Sequence, residues 1–234
     1  MNDYDDDESL PLSVKELRAR AAGIARRLEA EGETLSPVGA NGRSIARSFW
    51  GKAWCRNIES YQDYESRLPR GRSYLRNGTV IDLKILPGKV TALVSGSELY
   101  HVEIRIDPVA PERWAQLRKQ CFGKIGSLVD LVEGKLSDPI VELLCDRDSG
   151  LFPEPDEIHL NCDCPDWADL CKHLAAVLYG IGARLDDDPA LFFVLRGVDQ
   201  SELFSGDLGE NLPGAAVDLD DLDDLADTFG IELD

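Results

Sequence analysis

The sequence has no apolar run long enough to span a bilayer, and it lacks the basic start and apolar stretch of a secretory signal. Both absences predict a cytoplasmic protein without a membrane partner. Cysteine is scarce, six in 234 residues, which excludes a disulfide scaffold. A P-loop, a nucleotide-binding glycine motif and a nucleophile arrangement are all missing, and an enzyme is not expected. No internal repeat is visible. Lys and Arg are absent after residue 200, where eleven acids stand instead.

What is present is an uneven charge. The formal net charge is −19. Residues 1–8 carry five acids (Asp3, Asp5, Asp6, Asp7 and Glu8), so together with the eleven at 201–234 the two ends leave only −3 for residues 9–200. Residues 41–76 run the other way: eight bases (Arg43, Arg47, Lys52, Arg56, Arg67, Arg70, Arg72 and Arg76) face Glu59, Asp63 and Glu65, a local balance of +5. This predicts a disordered acidic N-terminus at 1–10, an α+β domain at 11–150 with its basic segment at 41–76, a metal-bearing region with C-terminal helices at 151–200, and an acidic, largely disordered tail at 201–234. The tail keeps the protein soluble or covers the basic segment by mimicking nucleic acid. Leu219, Leu222, Leu225 and Phe229 also give it a stripe able to dock on a partner or on its own core.

The elements follow from periodicity. Ser13 and Glu16 form a capping box before Val14, Leu17, Ala21, Ile24 and Leu28, one face of a helix ending near Gly32. A linker at 31–42 and a helix over 48–65 come next. Three or four short antiparallel strands are expected over 72–107, punctuated by Asn77-Gly78 and Pro87-Gly88. Helices are expected at 111–122, 125–133 and 138–146, then a strand at 157–162. Leu174, Val177, Leu178, Ile181 and Leu185 define a further helix, and Asp188-Pro189 starts a last one reaching Arg196. The fold class is therefore α+β: a small antiparallel sheet with several helices, then a strand-turn-helix at the cysteines.

Three of the six cysteines crowd into residues 162–171, in the order Cys162, Cys164, Cys171, with His173 beyond. The pattern is C-x-C, a six-residue turn, then C-x-H. Two cysteines one residue apart point the same way from a strand end, since side chains alternate. The turn brings back Cys171 and His173 at the start of a helix, whose dipole favours a thiolate. Thiolate sulfur and imidazole nitrogen suit tetrahedral zinc, and four protein ligands leave no place for a reactive water. One structural Zn2+ held by Cys162, Cys164, Cys171 and His173 is the expectation. A redox pair at Cys162 and Cys164 is the competing reading, against the usual C-x-x-C spacing. His159 is an added ligand, a supporting donor or a plain strand residue.

This cluster resembles the SWIM zinc finger, in Cys162-Asp163-Cys164-Pro165-Asp166-Trp167 and in Cys171-Lys172-His173. Ser48 to Trp54, Arg70 to Tyr74, Pro87 to Val90 and Asp188 to Gly197 are similar to one bacterial group of such proteins. The resemblance spans about residues 45–200 and implies a non-enzymatic accessory of an SNF2-type helicase-like ATPase, with a finger that binds DNA or protein. The candidate DNA contacts are the eight bases of 41–76. Phe49, Trp50 and Trp54 lie among them, as stacking platforms or as core anchors of a helix. The finger loop, with Asp163, Asp166 and Asp169 against Lys172, is anionic and a poor phosphate binder. The alternative is a protein–protein adaptor whose finger and acidic tail dock partners without nucleic acid.

Overall fold

The computed structural model describes residues 13–203, except 41, 43, 62–66, 123, 125–127, 134, 147 and 148, and without the side chains of 128, 131 and 132. The acidic ends expected at 1–10 and 201–234 lie outside the described residues, apart from 201–203. The elements are α1 (Val14–Ala30), α2 (Phe49–Glu59), α3 (Leu68–Arg76), β1 (Val80–Leu86), β2 (Lys89–Ser95), β3 (Leu99–Ile106), α4 (Pro111–Cys121), α5 (Leu128–Glu133), α6 (Asp138–Cys145), β4 (Ile158–Cys162), α7 (Lys172–Asp187) and α8 (Ala190–Leu195). No described helix is long and apolar enough to cross a membrane.

The four strands form one antiparallel sheet in the order β1-β2-β3-β4. Alternation sorts its faces. Val90, Ala92, Val94, Tyr100, Val102, Ile104 and Ile106 are buried, while His101 and Arg105 between them are exposed. Against the buried face lies α7, which touches β1, β3 and β4, and also α2, α3 and α8. Its residues Leu174 through Gly182 are all buried. A helix apolar on every side belongs at the centre of a fold, and α7 is that centre.

Two close approaches fix the helices around α7. A Cβ on Gly51 of α2 would fall 2.4 Å from the Gly182 carbonyl, and one on Gly71 of α3 would fall 2.4 Å from the Ala175 Cβ. Only glycine admits backbones that near. Asp186 at the end of α7 then accepts hydrogen bonds from the Arg47 and Ser48 amides and the Ser48 hydroxyl, tying down the start of α2. The Trp54 indole donates to the Leu178 carbonyl at 2.7 Å, satisfying its one polar atom inside the core.

The capping box at Ser13 and Glu16 is formed as the sequence predicts. Trp50 and Trp54 are fully buried and so are core anchors, not stacking platforms. Two expectations differ from the structure. The helix expected over 48–65 ends at Glu59, with Ser60 as its C-cap. Residues 72–76, expected as strand, belong to α3, whose buried stripe is Leu68, Gly71 and Leu75. Contact with α7 decides that case: glycine reads locally as a breaker, yet here it is the point of closest helix packing.

Candidate metal centre

The centre joins the last strand to the central helix. Cys162 ends β4, whose pairing places it opposite Val102 of β3. The chain then turns through residues 163–170, and Cys171 forms the N-cap of α7 with His173 in its first turn. The Cys171 Sγ accepts a hydrogen bond from the Leu174 amide at 3.4 Å, where the helix dipole also favours negative charge.

These elements bring the four predicted ligands together. One donor atom from each of Cys162, Cys164, Cys171 and His173 lies within 4.8 Å of the others. The His173 Nδ1 is 3.9 Å from both the Cys162 and the Cys171 sulfur. With zinc–sulfur bonds of about 2.3 Å, donors at the corners of a tetrahedron stand about 3.8 Å apart, so the set fits zinc. Neither His101 nor His159 belongs to it. Each is an exposed strand residue facing a carboxylate, His101 with Asp163 at 2.9 Å and His159 with Asp107 at 3.0 Å.

The thiols are unequal. The Cys171 pKa is lowered by hydrogen bonds from the Cys162 thiol, the His173 ring and the Leu174 amide. That same contact with Cys171, together with burial, pushes Cys162 up. Burial also raises Cys164. A cation shared by the three sulfurs removes this conflict, because metal-bound thiols are deprotonated. Of the remaining cysteines, Cys121 is buried and Cys55 and Cys145 pack half-buried against the core; burial raises Cys55 to about 12 and Cys121 and Cys145 to about 11.

Residues around the ligands hold His173 in place. Its ring stacks on Tyr100 with centroids 4.2 Å apart and meets Tyr74 edge-on at 5.5 Å. A Cβ on Gly96 would fall 3.0 Å from the His173 Nε2 and 2.9 Å from the Tyr100 ring, so glycine opens the space the imidazole fills. At the other end of the turn, Arg67 pairs with Asp166 at 3.4 Å, tying the loop to the start of α3. Tyr74, Gly96 and Tyr100 carry no local metal signal, and sequence reasoning did not find them. Nor did it find the fully buried Arg196, which grips both Glu157 oxygens at 3.1 Å and the Asp107 carbonyl at 2.6 Å, fixing the approach to β4.

The eight candidate DNA contacts separate into groups. Arg43 lies outside the described residues. Arg67 meets Asp166, and Arg72 is engaged by Glu59 and by the Tyr179 hydroxyl. Arg47 and Arg76 are exposed. Lys52 and Arg56 of α2 and Arg70 of α3 are exposed and have no ion-pair partner among the described residues.

Comparison with known proteins agrees with this geometry. The family model of the SWIM zinc finger matches residues 145–180, which include all four ligands. "Uncharacterized protein Rv2102" of Mycobacterium tuberculosis is 32% identical over 186 residues, covering 78% of this chain and 67% of the relative. No solved structure matches. The matched finger and the Cys3His cluster together identify the chain as a zinc-binding protein that belongs to the SWIM zinc finger family.

Proposed function

We propose that the protein is a non-enzymatic accessory of an SNF2-type helicase-like ATPase, holding one structural zinc per chain and touching DNA through α2 and α3. The structural role rests on the donor set: Cys162, Cys164, Cys171 and His173 bring one donor atom each within 4.8 Å of the others, and four protein ligands around zinc would leave no position for a reactive water. DNA contact rests on Lys52, Arg56 and Arg70, with Arg47 and Arg76 beside them in the sequence, all exposed while the tryptophans of α2 turn inward. The ATPase partner rests on the family resemblance. A cytoplasmic location remains part of this reading.

Elemental analysis of the chain purified without added metal tests the zinc, with close to one zinc per chain expected. Mobility shift of a duplex across a salt titration tests the DNA. The triple variant Lys52→Glu, Arg56→Glu, Arg70→Glu should show a shallower log–log salt slope, by about 0.9 for each phosphate it no longer neutralises. An unchanged slope and affinity would remove those residues from the interface.

The adaptor reading is favoured by a separate observation. Arg67 and Arg72 spend their charge inside the protein, and the finger loop stays anionic. Affinity purification from native cells, with and without nuclease, separates the two: an ATPase retained after nuclease treatment supports direct protein contact.

A further inference from the structure

Trp167 is the most exposed large apolar side chain described, at 94% of its full surface. The other three tryptophans, Trp50, Trp54 and Trp114, are buried. Trp167 stands at the tip of the 163–170 turn, whose two ends the metal ligands hold. The Arg67–Asp166 pair and a hydrogen bond from the Ala168 amide to Asp166 brace the turn from within. An indole presented on a rigid tip loses little entropy on binding, and tryptophan is enriched among the residues that dominate interfaces.

The charge around it narrows the partner. Asp163 gives both carboxylate oxygens to His101, whereas Asp169 is exposed with no ion-pair partner among the described residues. The ammonium of Lys172 lies 5.6 Å from the Tyr74 ring centroid, turned towards the domain. Three thiolates, a neutral imidazole and Zn2+ add a further negative charge beneath the loop. Phosphates and anionic lipid surfaces are repelled here.

We infer that the zinc-held loop is a protein-docking tip: Trp167 packs against apolar side chains of a partner protein, and Asp169 meets the lysines or arginines that flank them. This deepens the adaptor reading. It names the surface and the chemistry of the partner, and it fails separately from that reading, because purified probes test it.

The test uses the full zinc-loaded chain and three probes: a short fluorescein-labelled peptide of alternating lysine and leucine, a glutamate–leucine peptide of equal length, and a single-stranded oligothymidylate. Only the lysine–leucine peptide is expected to bind, with a blue shift of the Trp167 emission and protection from acrylamide quenching. Trp167→Ala is expected to weaken that binding roughly 30-fold, the effect of a hot-spot truncation of about 2 kcal/mol. Trp167→Phe should restore part of it, and Asp169→Lys should weaken it most at low salt. Zinc content and hydrogen exchange equal to wild type show that the variants are folded. Peptide binding unaffected by Trp167→Ala, equal binding of the acidic peptide, absence of binding, or stacking of oligothymidylate on Trp167 would each overturn the inference.

Discussion

The zinc-held turn at 162–173 and the helical core around α7 solve the same problem by different physics. In the core, Trp50, Trp54, Tyr179 and Phe192 are all fully buried, and packing fixes the chain. In the turn, residues 163, 165, 167 and 169 are exposed, so local burial is small, and bonds from the four clustered donors to a metal would do the holding. The two meet at Cys171 and His173, which belong to the donor set and also begin the central helix. On the structural-zinc reading, the metal would secure the outer turn and set where α7 starts.

The widest separation between the regions is expected on removing a ligand. Structural zinc supplies on the order of 10 kcal/mol in isolated finger peptides, and the surrounding core should absorb part of that loss here. Cys171→Ser should lose zinc and lose hydrogen-exchange protection across 158–173, while α2 and α3 keep theirs. Protection unchanged throughout would show that the turn holds itself. Next comes the core. Trp54→Ala should cost about 3–5 kcal/mol by denaturant titration, with zinc still bound wherever the chain is folded. Zinc released before the core melts would mean that the two regions are not separable in this way.

Smaller effects test the join. Gly71→Ala forces a methyl onto Ala175 and should cost about 1–3 kcal/mol of global stability with little change in zinc affinity. Gly96→Ala crowds His173 and Tyr100, so its cost should show mainly as weaker zinc binding in a chelator competition. Equal effects of both variants on zinc would erase the distinction. Smallest of all, Ser13→Ala removes a cap remote from both regions and should cost about 1 kcal/mol, confined to α1 exchange.

What the sequence disclosed follows the same division. The ligands were legible because zinc chemistry demands particular side chains at short spacing, and Cys162 to His173 lie within one turn. The strands from Val80 to Ile106 were legible from alternation, and α7 from its apolar spacing. The α3 helix was not, because Gly71 acquires its meaning only from Ala175, about a hundred residues away. The cradle of His173 was hidden for the same reason: Tyr74, Gly96 and Tyr100 come from α3, a turn and β3. Pairing in the fold was invisible too, since Arg67 and Arg72 look like free surface charge until Asp166 folds against one and Glu59 and the Tyr179 hydroxyl against the other.

X-ray absorption at the zinc edge tests the closed structural centre most directly. On the full chain purified without added metal, the account predicts three sulfur neighbours at about 2.3 Å and one nitrogen at about 2.0 Å, with no oxygen from water. A water oxygen in the zinc shell, or fewer than three sulfurs, would contradict it and return the centre to the catalytic or redox class.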